Sequence, residues 1–385
     1  MLKLLRSKQT RGSLLTAALL ISAAALVFAP EEAMEGAKSG LTLCLNVIVP
    51  SLFPFFVLSS LVIDLGIAAR LGRLLEPIMR PLFRVSGSCA GALVLGFIGG
   101  YPVGARTALQ LYQQGFCTKT EAERLLAFCN NSGPAFILGV VGAGIFGDNR
   151  VGLLLYLTHA AASLIVGILA RFYKGKTSGS NICCTKPIAL RPLPTAFTEA
   201  VVHALQSVLN ICAFVVFFSV VLRLLTSYGI LSLLAHLLSL FGFDPEWARR
   251  LIAGLLEVSS GVSSLSGGGK FSSLVSMAAF MLGWAGLSVH CQVLSFLVDS
   301  GLSAKVYLAG KLCHGLIAAG LTWLLSQVIP LEQPVVYYLA EQAEALAGLS
   351  FSVALTASLG TALTAGLLLV LICSLRLRKR GRKIA

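Results

Sequence analysis

Gly96-Phe97-Ile98-Gly99-Gly100-Tyr101-Pro102-Val103-Gly104-Ala105 decides how this chain is read. The run lies inside an apolar stretch, about residues 90–112, yet it forbids a continuous helix. Proline removes a backbone donor, and glycine is entropically costly in a helix interior. A second stretch of the same kind, 252–270, reads Glu257-Val258-Ser259-Ser260-Gly261-Val262-Ser263-Ser264 and then Gly267-Gly268-Gly269. Broken backbone at membrane depth is tolerated only where it is buried in protein or lines a wet cavity. Both stretches are therefore expected to be re-entrant hairpins.

The surrounding composition supports a membrane setting. Of 385 residues, 56% are hydrophobic and 12% charged, and the mean hydropathy is +0.86. Soluble domains carry about 25% charged residues, so a water-soluble globule is excluded. A spanning helix needs about 20 mostly apolar residues. Candidate spans are 14–29, 42–65, 125–147, 151–172, 203–228, 274–298, 305–329 and 350–375. The first follows Lys3, Arg6, Lys8 and Arg11 and is read as a retained anchor, because Ala29-Pro30 is a poor signal-peptide cleavage site. Segment 230–250 is expected to lie along the outer surface as an amphipathic helix. The ten cysteines read as small apolar packing residues. The adjacent Cys183 and Cys184 lack the spacing of a zinc or redox pair.

The net charge of +14 could advertise nucleic acid, but its distribution argues for topology. With the N-terminus in the cytoplasm, each span crossing once and each hairpin returning to its own side, most Lys and Arg residues fall inside. They sit near the N-terminus, at Arg70, Arg73, Arg80 and Arg84, at Lys119 and Arg124, at Arg171, Lys174, Lys176, Lys186 and Arg191, at Lys305, and in the tail from Arg376 to Lys383. Acidic residues such as Glu31, Glu32, Glu35, Asp148, Asp244 and Glu246 fall outside. Both termini are expected in the cytoplasm, with the lipid bilayer as partner and no nucleic acid.

The two halves repeat one order of parts. Each has a long span, a Gly/Ser-broken hairpin, a span with a polar interruption and a closing span. The interruptions are Asn130-Asn131-Ser132-Gly133-Pro134 and Gly283-Trp284-Ala285-Gly286-Leu287-Ser288-Val289-His290. Three net crossings per repeat would insert the second copy upside down, and inverted repeats with broken helices mark secondary transporters. The chain thus reads as an all-α polytopic membrane protein of about eight transmembrane helices plus two re-entrant hairpins in an inverted repeat. The expected divisions are an anchor at 1–35, a first repeat at 36–175, a cytoplasmic linker at 176–198, a second repeat at 199–330, and a C-terminal helix with basic tail at 331–385.

Ionisable groups inside a membrane are costly and are functional candidates. Arg106, Lys311, Asn130, Asn131 and Ser132, with Ser259 and Ser260 from the second hairpin, are the expected solute-binding residues. Pro134 suits the first turn of a half-helix whose free N–H groups and dipole favour an anion. Glu257, His159, His290 and His314 are the candidates for handling a proton or ion. Arg106, Lys311 and the helix ends outweigh Glu257, so the cavity is expected to tilt positive and the solute to be a small anion. No P-loop, HExxH or GxSxG motif is present; no enzyme activity, metal or cofactor is expected.

Asn46-Val47-Ile48-Val49-Pro50-Ser51-Leu52-Phe53-Pro54-Phe55-Phe56, Gly99-Gly100-Tyr101-Pro102-Val103-Gly104-Ala105 and Phe128-Cys129-Asn130-Asn131-Ser132-Gly133-Pro134 together carry a resemblance. The chain closely resembles bacterial sporulation integral membrane proteins built from nucleoside-recognition (Gate) domains, from about residue 36 onward. The resemblance implies a spore-forming source, distant kinship with concentrative nucleoside transporters, and carriage of dipicolinic acid from the mother cell across the outer forespore membrane. The resulting expectation is an alternating-access carrier for dipicolinate, able to work as a homo-oligomer. Its rivals are a nucleoside or other solute carrier on the same scaffold, and a non-transporting scaffold of a sporulation complex.

Overall fold

The computed structural model describes residues 8–65, 67–174, 192–266 and 270–329, and every regular element among them is helical. The expected span 350–375, most of the linker, the basic tail and Gly267-Gly268-Gly269 lie outside the described residues. In chain order the helices are α1 (Lys8–Phe28), α2 (Pro30–Leu43), α3 (Val49–Asp64), α4 (Ile67–Phe83), α5 (Ala90–Gly99), α6 (Val103–Gln113), α7 (Lys119–Leu126) and α8 (Asn149–Ala170). They continue as α9 (Leu193–Ser227), α10 (Ile230–Ser239), α11 (Pro245–Leu256), α12 (Val258–Ser263), α13 (Phe271–Trp284), α14 (Gly286–Leu297) and α15 (Ala304–Ser326). A π-helical turn, Cys44–Ile48, joins α2 to α3, and a longer π-helix, Ala135–Ile145, precedes α8.

Among the described residues, four helical stretches are long and apolar enough to cross a bilayer: Asn149–Ala170, Leu193–Ser227, Phe271–Leu297 and Ala304–Ser326. They coincide with the expected spans 151–172, 203–228, 274–298 and 305–329. A fifth arises if α4 and α5, which meet at 93°, count as one bent crossing. The expected span at 14–29 lies on the unbroken 21-residue α1, whereas those at 42–65 and 125–147 are helical but interrupted. α3 contains Pro54, and 125–147 is split between the end of α7, the extended residues 130–132 and the π-helix. Leu153, Leu157 and Leu169 on α8, Leu205, Leu209 and Phe217 on α9, and Leu316 and Trp323 on α15 are all exposed. Apolar side chains in such number on long helices make a surface suited to lipid rather than water.

Both hairpins form where the sequence breaks. α5 and α6 are joined through Gly99-Gly100-Tyr101-Pro102, with Gly100 at φ +76°. α11 and α12 turn at Glu257, which has an extended backbone. The second hairpin begins earlier than expected. Asp244 accepts hydrogen bonds from the N–H groups of Glu246 and Trp247, both at 3.0 Å, and Pro245 occupies the first turn. The cap and proline start a new helix there, so residues 245–250 form a hairpin leg. Only α10 remains of the surface helix expected at 230–250.

Two main cores hold these parts, and each mixes the halves. In one, Leu93 and Ala105 of the first hairpin pack with Leu125, Phe128 and Val166, and with Val289, Val293 and Tyr307 from the second half. In the other, Val258 and Val262 of the second hairpin pack with Ile137, Val141 and Leu154 from the first. Helices approach closely through small residues, as membrane packing favours. Gly36 and Gly40 of α2 lie against the backbone of Val220 and Val216 on α9, and Gly283 of α13 lies against Gly315 of α15. Glu32 and Glu35 pair with Arg223 across the α2–α9 seam.

Candidate functional site

The first break follows from α7. A capping box formed by Thr118 and Glu121 starts this helix, and it ends as the N–H groups of Phe128 and Cys129 turn back on the Leu125 carbonyl. Asn130, Asn131 and Ser132 then run without helical hydrogen bonds to Pro134. Buried backbone groups need partners, and side chains supply them. The Ser132 N–H donates to His159 Nε2 at 3.0 Å, Lys311 Nζ to the Asn130 carbonyl at 2.9 Å, and Ser163 Oγ to the Phe128 carbonyl at 2.6 Å. Asn131 Nδ2 closes on Phe128 at 3.0 Å.

The second break has the same logic with other chemistry. Ala285 and Gly286 both take φ +79°, ending α13 and starting α14. At the facing hairpin the buried Glu257 carboxylate caps α12, accepting from the N–H groups of Ser259 (3.0 Å) and Ser260 (2.7 Å). Trp284 Nε1 donates to the Leu255 carbonyl at 3.2 Å. In each half the hairpin turn lies directly on the break. A side chain at Gly100 would meet the Gly133 nitrogen at 2.8 Å, and one at Gly286 would meet the Val258 nitrogen at 3.0 Å.

Where the two crossings face each other they line a partly open cavity of about 100 Å³. That is room for several waters, since one water needs roughly 10–15 Å³ on this measure. Gly99, Gly100, Tyr101, Ser132, Gly133 and Phe136 line it from the first half; Glu257, Val258, Ser259, Ser288, Val289 and Gln292 line it from the second. Leu43, Ile48, Ile211 and Val215 complete the apolar wall. Helix N-termini at 132–133 and 286–288 bring backbone donors and hydroxyls to a largely apolar space, which is the usual make-up of a small-molecule site.

Behind this wall runs a connected polar cluster. Tyr307 Oη accepts from Asn130 Nδ2 at 3.5 Å and shares a hydrogen bond with His290 Nδ1 at 3.0 Å. His314 donates from Nε2 to the His159 carbonyl at 2.9 Å, and Lys311 Nζ lies 3.4 Å from His314 Nδ1. The His159 and His314 rings are 4.3 Å apart. Lys311, His159, His290 and His314 are all buried.

Of the expected solute residues, Ser132 and Ser259 line the cavity, and so does the proton candidate Glu257. Asn130, Asn131, Lys311, His159, His290 and His314 gather behind Ser132. Ser260 is engaged through its backbone. Arg106 stands apart: it reaches α9, bonding the Ser207 hydroxyl and the His203 carbonyl, and lies over the Phe56 and Phe296 rings. The positive tilt expected of the cavity is not what the lining shows. Its charged residue is Glu257, because Arg106 points to α9 and Lys311 lies behind the wall. Sequence reasoning missed Tyr307, Tyr101, Ser288 and Gln292. Tyr307 lies four residues before Lys311, and Ser288 four before Gln292, so helical spacing carried the signal.

The sequence model of the Gate family, described as nucleoside recognition, matches residues 45–185. The chain is 33% identical over 331 residues, 80% of each chain, to the sporulation integral membrane protein YlbJ of Bacillus subtilis. The chain belongs to the YlbJ family. It is thus a multi-pass integral membrane protein of the Gate type. An uncharacterised protein of Alkalihalophilus pseudofirmus is 31% identical over 126 residues, covering 32% of this chain and 27% of that one. Among solved structures, a CNTnw variant in its intermediate 3 state aligns at 15% identity with a TM-score of 0.47, covering 86% of this chain and 89% of that one.

Proposed function

We propose that this YlbJ-family protein is a secondary carrier acting in sporulation, and that its solute binds where the two hairpin turns face the two helix breaks. One observation carries the reading: Glu257 and Ser259 from the second hairpin, and Ser132 and Ser288 from the two breaks, converge on one cavity. Alternating access follows if each hairpin-and-break unit opens the cavity to a different side. The two halves would then insert with opposite orientation, with both termini in the cytoplasm.

Dipicolinate, moved from the mother cell across the outer forespore membrane, is the solute we favour. The N-terminal N–H groups of α14, at 286–288, suit its carboxylates. Glu257 is already engaged as a cap, which lessens its repulsion of an anion, and Lys311, when protonated, places a cation one layer behind Ser132. A neutral hydroxylated solute such as a nucleoside is the second reading. It is favoured by one feature, that the charged group on the cavity wall is a carboxylate able to accept from hydroxyls. Uptake into proteoliposomes separates them. Labelled dipicolinate should enter and be displaced by unlabelled dipicolinate but not by uridine; the reverse competition would replace the solute assignment, and uptake of neither would sink the carrier reading for both.

A further inference from the structure

The cluster behind the cavity contains more polar chemistry than solute binding uses. Lys311 is 1% exposed, and among the described residues no carboxylate lies within ion-pair distance of it. Its Nζ donates to the Asn130 carbonyl at 2.9 Å and faces His314 Nδ1 at 3.4 Å. His314 uses its Nε2–H on the His159 carbonyl, so in the neutral ring Nδ1 offers a lone pair to Lys311. An ammonium without a counter-charge is strongly disfavoured in such a place. The same nitrogen as an amine, or sharing a proton with His314, is not.

A second observation points to the same spot. Asn130 Oδ1, Asn131 Oδ1, His159 Nδ1 and His290 Nε2 are buried side-chain atoms without a hydrogen-bond partner. They surround one helix break. Freed oxygens at a broken helix are what metal-ion coupling sites use. Here the Lys311 nitrogen already sits on the Asn130 carbonyl, and an ammonium there would repel a metal cation.

We propose that Lys311 and His314 form the proton-binding site that drives the carrier, with the Lys311 ammonium standing in the place of a metal cation. The proposal rests on the carrier reading above. One proton from the side to which the cavity is open adds to the amine–imidazole pair. It gives an ammonium held by His314 Nδ1 and the Asn130 carbonyl, and the same proton leaves to the other side after the break has moved; no electron is transferred. Asn130 lies two residues from Ser132, so loading the pair alters the backbone that forms the cavity wall.

The groups that share this field are known on every side. Tyr101 comes from the first hairpin, its ring 5.9 Å from Lys311 Nζ, and the Cys129 thiol comes from the break. His159 comes from α8, His290 from α14 and Tyr307 from α15. α13 has no titratable side chain; of the four charged residues of α7, Lys119 and Glu121 sit in its first turn, where Glu121 bonds Thr118, and Glu123 and Arg124 are bound elsewhere to Lys174, Tyr173 and Arg84.

The test uses the full chain in lipid, labelled with ¹⁵Nζ-lysine. A line lost in Lys311→Met is expected to change between amine and ammonium as pH is varied, with a midpoint that moves in His314→Gln. If Lys311→Met does not fold, the line that moves in His314→Gln identifies Lys311. Accumulation of labelled dipicolinate or uridine should follow an imposed proton gradient, persist when choline replaces sodium, and fall at least about tenfold in Lys311→Met. A Lys311 line that stays ammonium throughout, or uptake that requires sodium, overturns the proton site while solute exchange itself keeps the carrier reading. A titrating Lys311 line without exchange of any solute upholds the proton site and sinks the carrier.

Discussion

Gly104→Ala tests the packing on which the first hairpin depends. A Cβ built at Gly104 lies 1.9 Å from the Cys129 carbonyl oxygen and 2.7 Å from its carbon, whereas real Cβ contacts essentially never fall below 3.0 Å. Gly96 on the opposite leg meets the same oxygen at 1.9 Å, so the two legs clamp one carbonyl at the edge of the break. Both obstructing atoms are backbone, so no rotamer change relieves the clash; the hairpin must shift by about 1 Å. Overpacking a well-packed core costs about 1–3 kcal/mol, occasionally more, and the rigid neighbours place this substitution at the upper end. Gly320→Ala is the control, because nothing lies within 4 Å of a Cβ there. Replacing a helix-interior glycine in open space is expected to stabilise by roughly 0.5–1 kcal/mol. Denaturation of the purified protein in mild detergent, followed by tryptophan fluorescence, ranks the variants. If Gly104→Ala is as stable as Gly320→Ala, the hairpin does not clamp Cys129 and the account of this crossing fails.

Other expectations concern single side chains. Arg106→Ala removes bonds to Ser207 and His203 and contacts with two phenylalanine rings; it should lower stability by about 1–3 kcal/mol and leave solute affinity within about twofold, and an affinity loss above tenfold would put Arg106 in the site. Asp244→Ala removes the cap of the second hairpin's first leg and should cost about 1 kcal/mol, read as a lower melting temperature. Glu123 lies outside the spans. Burial pushes its carboxyl up, but Lys174, the Ser303 N–H and the Tyr173 hydroxyl together hold it below the usual carboxylate range. Its stabilising contribution is therefore present above the ordinary carboxylate pKa and lost as pH falls through the lowered one. The melting-temperature gap between wild type and Glu123→Gln should be open at neutral pH and close toward acid; a gap independent of pH would refute the role.

Much of this was legible in the chain because backbone-breaking residues speak locally. Gly99-Gly100-Tyr101-Pro102 marked the first hairpin turn, Asn130 to Pro134 marked the first break, and four long apolar runs marked four long helical stretches, one of them broken at Ala285. The start of the second hairpin was obscured because residues 230–250 are amphipathic on both sides of Gly242; only the Asp244-Pro245 cap separates α10 from α11. The π-helix at 135–145 gave no signal, since its apolar and glycine residues suit an α-helix equally. The partner of Arg106 was invisible for a different reason. Ser207 and His203 lie about a hundred residues away on α9, and the sign of a cavity depends on where long side chains turn. Tertiary placement reduced the positive tilt read from composition to one carboxylate in the lining.

The central claim is that a small polar solute binds in the cavity between the two hairpin-and-break crossings. Equilibrium binding of labelled dipicolinate to the purified protein, with uridine as competitor, measures it most directly in wild type and in Ser132→Ala and Ser288→Val variants. Saturable binding of one solute in wild type, weakened at least about tenfold in each lining variant, is the predicted result. Saturable binding that both variants leave unchanged, or no binding of either solute, would contradict the account.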